Sequence, residues 1–233
     1  MNTKKQGQLW FVVHREGYAI ILFASIGTFF LAMLSSTLGW IALCATVFCC
    51  YFFRNPDRFS PVNDGLILSP ADGIVQSISV VAPPKECGLE QGGMLRISIF
   101  LSVFDVHVNR IPCRGKISKL FYNPGRFISA TLDKSSEQNE RQSVVLETAE
   151  GTRVVFVQIA GLIARRIVCE LKEGQEVHPG EVFGIIKFGS RMDVYLPKDT
   201  NVLICCGQRM VGGETILADL GDSSRALSFE LKR

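Results

Sequence analysis

The chain has 233 residues, of which 20% are charged and 47% hydrophobic, and carries a formal net charge of +3. That length suits one sizeable domain plus an appendage, and so small a basic excess argues against nucleic acid as a partner. Eight cysteines are scattered without a C-x-x-C pair, which speaks against a cysteine metal framework and fits reduced thiols in a cytoplasmic domain.

The N-terminal quarter differs in kind from the rest. From Gly17 to Phe53, 37 consecutive residues carry no charge. One spanning helix needs about 20 apolar residues, so this run is too long for one straight helix and slightly short for two full spans with a loop. The polar stretch Ser35-Ser-Thr-Leu-Gly39 breaks it near its middle, and the expectation is a hairpin of two short helices over 17–34 and 38–53. A signal peptide is disfavoured, because its apolar core runs only about 7–15 residues. Lys4, Lys5 and Arg15 precede the run and Arg54 and Arg58 follow it. A hairpin keeps both flanks on one side, and the positive-inside tendency makes that side cytoplasmic. Residues 1–56 thus read as an anchor in the inner membrane and 57–233 as a cytoplasmic catalytic domain.

After the charged breaker Arg54-Asn-Pro-Asp-Arg58, short Val- and Ile-rich runs are punctuated by Gly and Pro, the pattern of strands rather than helices. Strands are predicted at 66–68, 74–81, 95–101, 106–111, 143–148, 153–159, 167–171, 182–188, 192–196, 202–206 and 214–217. Residues 161–166 suit a short helical turn, 133–142 an exposed polar loop, and 221–233 a frayed tail. The fold class is therefore mainly β (α+β). The repeated Gly and Val of Leu171 to Val182 resemble the hammerhead turns of biotinyl and lipoyl carrier domains. This implies a flattened β-barrel or sandwich, with Ala71–Val75 as a candidate opposing strand.

Gly189-Ser190 is the single Gly-Ser step of the chain. With SPADG at 69–73, FDVHVNRIP at 104–112, NER at 139–141 and AGLIARRIV at 160–168, it resembles the phosphatidylserine decarboxylase family, in its short bacterial branch. The resemblance runs from about Asn55 to the C-terminus. It implies a proenzyme that cuts itself before Ser190 into residues 1–189 (the β chain) and 190–233 (the α chain), which stay associated. The serine hydroxyl would attack the preceding carbonyl, and elimination followed by hydrolysis would leave a pyruvoyl group in place of Ser190. That pyruvoyl would form a Schiff base with phosphatidylserine, releasing CO2 and leaving phosphatidylethanolamine. No metal is required. Gly189 supplies the backbone freedom that such a cut needs.

A free serine is a poor nucleophile and needs a base. Of the three histidines, His107 alone lies in a predicted strand among apolar residues, with Asp105 two positions earlier on the same face. His14 and His178 read as solvated. The resemblance makes Asp72 the carboxylate that completes an Asp-His-Ser arrangement, with Asp105 as a poorer alternative. In the family's longer branch the histidine block carries a second histidine three places on, where this chain has Arg110, and Ser-Thr stands where this chain has Ser190-Arg191. Whether His107 serves self-cleavage, decarboxylation or both stays open at this point. Arg110, Arg165, Arg166 and Arg191 are candidates for a lipid phosphate or the serine carboxylate, since their forked donors suit both.

Two other readings compete: a pyruvoyl enzyme acting on another amino-acid headgroup, and a membrane-tethered carrier or binding module. A carrier needs a lysine at an exposed hairpin tip, whereas Lys187 lies within a strand-like run. Homo-oligomerisation and acyl-chain preference are not addressed by the sequence.

Overall fold

The computed structural model describes residues 12–89, 93–125, 139–161, 166–187 and 189–221. The chain divides into two compact units, Met1–Asp57 and Arg58–Arg233. Of the expected features, the helical turn at 161–166 and the tail at 221–233 lie outside the described residues except at their ends.

In the first unit, α1 (Arg15–Leu34) and α2 (Ser36–Phe52) pack against each other as the expected hairpin. Ser35 separates them with extended backbone, φ −160° and ψ 134°. At 1.5 Å per residue α1 is about 30 Å long, and it is the one described helix long and apolar enough to cross a membrane. Phe23, Phe30, Trp40 and Ile41 are exposed, so both helices are apolar on faces that touch no protein, as lipid-facing helices are. Their mutual contact uses small residues. A side chain at Gly39 would overlap Ala32, and the Thr28 and Thr46 hydroxyls meet at 2.9 Å, the close approach and hydrogen bond typical of helix pairs in lipid. The open end is closed by backbone: His14 N–H donates to the Phe53 carbonyl at 2.7 Å and Asn55 N–H to that of Val12 at 2.6 Å.

Among its described residues the second unit is built of strands, with one 3-10 turn. In chain order it runs β1 (Leu66–Leu68), β2 (Gly73–Val81), β3 (Met94–Leu101), β4 (Val108–Arg110), β5 (Gly115–Asn123), β6 (Arg141–Glu147) and β7 (Arg153–Ala160). It continues with β8 (Ile167–Cys169), β9 (Glu176–Val177), β10 (Val182–Ile186), β11 (Ser190–Pro197), β12 (Asn201–Val202), β13 (Arg209–Met210) and β14 (Ile216–Asp219). Eight strands form one sheet, β13-β2-β3-β11-β7-β6-β5-β9, and two three-stranded sheets, β4-β10-β8 and β1-β14-β12, complete the unit.

The large sheet is buried on both faces at its centre. Alternation along β11 puts Ser190, Met192, Val194 and Leu196 on one face and Arg191, Asp193 and Tyr195 on the other. Met192, Val194 and Leu196 join the main core with Ile97, Ile99, Leu101 and Phe156. Tyr195 joins a second cluster with Cys87, Val155, Val157 and Ile159. A strand apolar on both sides reads as a continuous run, which is why β7 is legible as a strand but not by alternation.

Three expectations change. β4 covers only Val108–Arg110, so His107 lies just before the strand. β5 is an unpredicted nine-residue strand. Residues 139–142 are buried rather than an exposed loop: Asn139 is 1% exposed and Glu140 5%, while 133–138 lie outside the described residues.

Glu86, in a 3-10 turn at Lys85–Cys87, ties that turn to β5 and β6. Its Oε1 accepts from Arg141 Nε at 2.8 Å, Asn123 Nδ2 at 2.9 Å and the Ser143 hydroxyl at 3.1 Å. Burial alone would raise the Glu86 carboxyl, but the bonds from Arg141 and Ser143 outweigh it and the net shift is downward. A lowered native pKa contributes stability above the unfolded value, about 4.3, and loses it as pH falls through the native one. Glu86→Gln should therefore destabilise by about 1–3 kcal/mol at neutral pH, with the gap to wild type closing below about pH 4. Urea unfolding of both proteins across pH checks this, and a gap that stays constant into acid would refute it.

Candidate active site

Ser190 is the first residue of β11 and is paired to both neighbours, opposite Leu101 of β3 and Ala160 of β7. Four residues earlier, Ile186 N–H donates to the His107 carbonyl at 3.3 Å. The segment before Ser190 is thus pinned at its two ends to the two ends of the turn between Leu101 and His107. Between them Gly189 has φ +55°, a left-handed conformation. An added Cβ would meet nothing closer than Val103 Cγ1 at 3.9 Å, so glycine is required here by backbone conformation rather than by space. The Ser190 side chain is fully buried, and its hydroxyl has no hydrogen-bond partner among the described residues. A buried polar atom left unsatisfied is rare and calls for a functional reason.

His107 is likewise fully buried. Its Nδ1 lies 3.0 Å from the Asp105 carbonyl oxygen. A carbonyl can only accept, so Nδ1 carries the proton and Nε2 holds the lone pair of the neutral ring. Asp105 also staples the turn. Its N–H donates to the Ser102 carbonyl at 2.8 Å and its Oδ2 accepts from Ser102 N–H at 2.8 Å. Its Oδ1 accepts from Arg209 Nη1 at 2.6 Å.

Asp72 sits one residue before β2. Gly73, at φ +155°, lies so close to the Phe100 carbonyl that a side chain would overlap it, which fixes the approach of SPADG to β3. The Asp72 carboxylate accepts from Arg58 Nη2 at 2.8 and 3.0 Å and from Gly212 N–H at 2.7 Å. It therefore faces Arg58 and the 212–213 turn, while the Nδ1 of His107 is taken by the Asp105 carbonyl. Burial pushes the Asp72 carboxyl up; Arg58 and the Gly212 N–H oppose this, and nearby Asp105 adds to it. An acid raised in this way beside a buried histidine loop fits a functional site.

The NER block acts on Ser190 at one remove. Asn139 Nδ2 donates to the Ala160 carbonyl at 2.7 Å, holding the residue that pairs with Ser190, and Arg141 binds Glu86. The arginines divide. Nε and Nη2 of Arg191, 1% exposed, donate to Asp193 at 2.9 and 3.0 Å on the sheet face opposite Ser190. Arg110 Nη1 donates to the Gly180 carbonyl at 2.9 Å. Arg166 is exposed, and Arg165 lies outside the described residues.

Two residues escaped the sequence reading. Gln158 of β7 and Asn109 of β4 are fully buried and joined, Gln158 Nε2 to Asn109 Oδ1, at 2.9 Å. The available signal was Gln158 itself, one amide in the apolar run Val154 to Ala160.

Comparison with known proteins bears on this arrangement. Residues 45–218 match the sequence model of the family described as phosphatidylserine decarboxylase. The chain is 56% identical over 230 residues, 99% of each chain, to the phosphatidylserine decarboxylase proenzyme of Rickettsia africae (strain ESF-5). It is 58% identical over 218 residues, 94% of each chain, to that of Rickettsia peacockii (strain Rustic). The chain belongs to the phosphatidylserine decarboxylase family. Among its described residues no cluster of His, Cys, Asp or Glu could hold a metal ion.

The tautomer assigned to His107 in this family member is open to direct test. Nitrogen-15 NMR of the labelled imidazole, with the ring neutral, should show Nδ1 protonated and Nε2 bare. The reverse pattern would remove the role of the Asp105 carbonyl.

Proposed function

We propose that the chain is a phosphatidylserine decarboxylase proenzyme that cuts itself between Gly189 and Ser190 and removes CO2 from phosphatidylserine, leaving phosphatidylethanolamine. The observation that carries this reading is the bracketing of Gly189-Ser190, in left-handed backbone, by the two ends of the His107 turn. The Ser190 hydroxyl would attack the Gly189 carbonyl carbon, the C–N bond would break, and the freed amine would take the proton first received by His107 Nε2. The Gly189 carboxylate then leaves with the former hydroxyl oxygen as a base takes the Ser190 α-proton, and water hydrolyses the resulting dehydroalanine to the pyruvoyl group with loss of ammonia. General-base help of this kind is worth about 10²–10⁴-fold. The Asp105 carbonyl holds Nδ1–H and so keeps the ring lone pair on Nε2, and Asp72 keeps Arg58 and the 212–213 turn in place.

A pyruvoyl group derived from Ser190 suits the residues present. Ser190 is sealed from water, and the sheet would hold the new chain start in register with Leu101 and Ala160. Such a group supplies an electron sink for the bond to the departing carboxylate. The chain's residues 1–189 and 190–233 would remain joined through β11, which is hydrogen-bonded on both sides. Residues 1–56 anchor the enzyme in the cell membrane with residues 57–233 on the cytoplasmic side, a reading supported by apolar α1 and by the basic residues flanking the hairpin. The paired turns of 171–182, with Gly174 and Gly180 at positive φ, support the likeness to the flattened barrels of carrier domains. A carrier function lacks support, since Lys187 precedes Gly189 in the pinned segment rather than at a hairpin tip.

Ser190→Ala should accumulate one uncut chain without activity, as read by mass spectrometry. His107→Ala should slow cleavage by about 10²–10⁴-fold, and cleavage at the wild-type rate in that variant would strip His107 of this role. Deleting residues 1–56 should release the protein from membranes while leaving the cut intact; a deletion variant that still sediments with membranes would place the anchor elsewhere.

A further inference from the structure

Buried beside Ser190 is a polar pair to which the cleavage chemistry assigns no task. Gln158 is opposite Met192 across the β7–β11 ladder, and Ala160 is opposite Ser190. Residues two apart share a sheet face, so Gln158 is the diagonal neighbour of Ser190, about 7–8 Å away. Asn109 follows His107 by two residues and pairs with Gly184 of β10. The bond from Gln158 Nε2 to Asn109 Oδ1, with a second contact from Nε2 to the Val168 carbonyl at 3.4 Å, joins the large sheet to the β4-β10-β8 sheet. All four side chains, Ser190, His107, Asn109 and Gln158, are fully buried.

The bonding also fixes which way the two amides face. Because the Val168 carbonyl can only accept, Nε2 of Gln158 must point to it and to Asn109 Oδ1. Two atoms are left without partners: the donor Asn109 Nδ2 and the acceptor Gln158 Oε1. With the Ser190 hydroxyl they make three unsatisfied polar atoms around one point of the fold. A core selected for stability alone would hold apolar residues of the same shape here.

We infer that Asn109 and Gln158 form a positioning pair for the serine head of the substrate, Asn109 Nδ2 donating to its carboxylate and Gln158 Oε1 accepting from its amino nitrogen. The inference rests on the decarboxylase reading. The match is one donor and one acceptor against a head that offers one acceptor and one donor. The neutrality of the amides suits the reaction. An arginine would hold the carboxylate most tightly before CO2 leaves, and binding the ground state better than the transition state slows the step. A neutral amide in a dry site orients the carboxylate without that penalty.

The test uses full-length protein in detergent micelles containing phosphatidylserine, with Asn109→Leu and Gln158→Met as shape-conserving variants. Both should cut into two chains as wild type does; each single variant breaks the Gln158–Asn109 bond and should melt below wild type, whereas the double variant, which removes both partners, should melt close to it. Their kcat/KM should fall about 10- to 100-fold, the loss expected for a hydrogen bond to a charged group. Phosphatidylethanolamine, which lacks the carboxylate but keeps the amine, should inhibit Asn109→Leu as well as wild type and Gln158→Met less well. Unchanged kcat/KM in both single variants would overturn the inference, as would accumulation of uncut chain or a double variant that melts well below wild type. If wild type itself is cut but does not release CO2 from phosphatidylserine, the failure lies with the decarboxylase reading instead.

Discussion

Everything at the candidate site depends on one strand start. β11 begins at Ser190 itself, hydrogen-bonded to β3 on one side and β7 on the other, so the residue after the proposed scissile bond is held by a sheet, while Gly189 before it lies outside the strand. Gly189 absorbs the mismatch by turning left-handed. A bond to be broken needs this asymmetry: one side fixed so that the hydroxyl is placed, the other free enough for its carbonyl to be approached and to depart. The supporting residues all serve the fixed side. Asn139 holds Ala160, Arg141 holds the Glu86 turn, and the Asp105 staple holds the loop that follows Leu101.

The same economy explains where charge is tolerated. Arg191 and Asp193 are buried on the face away from Ser190, where each neutralises the other. On the Ser190 face the strand contributes no charge, and the polar groups there are a hydroxyl, an imidazole and two amides. A dry, neutral face keeps the Ser190 hydroxyl from being diverted to a permanent ionic partner and raises the influence of the few dipoles that remain. The Asp72 carboxylate of SPADG is taken by Arg58 and by the Gly212 N–H, while the Nδ1 of His107 meets the Asp105 carbonyl.

Much of this was legible in the sequence, and what was not has physical causes. The uncharged run with its Ser35 break yielded two helices within two residues of the observed ends, because length and charge decide there. β7 was visible as an apolar run, and β11 from its Met192–Leu196 stretch. β5 was missed because a bulge between Ile117 and Lys119 shifts its register, so that Ile117, Leu120 and Phe121 fall out of simple alternation. The polar stretch 139–142 was read as solvated because Asn, Glu, Arg and Gln usually are. Each of Asn139, Glu140 and Arg141 in fact spends its side chain on a specific partner within the fold, which composition cannot show. Ser190, Gly189 and His107 were named from the resemblance and, for His107, from its place among apolar residues; the structure buries Ser190 and His107 and turns Gly189 left-handed. Asn109 and Gln158 did not, since their importance lies in a contact between two sheets.

The partner of His107 also bears on the question left open by a single histidine. A carboxylate on Nδ1 would fix the tautomer and stabilise the charged ring; the Asp105 carbonyl fixes the tautomer but offers the charged ring less. A base of that kind suits an event that happens once in the life of each molecule, where a modest acceleration is enough. It is less suited to a turnover step that must gain and lose a proton at every cycle. We therefore propose that His107 serves self-cleavage first, and that the repeated work of orienting substrate falls to neutral groups that need no recharging, the Asn109–Gln158 pair foremost among them.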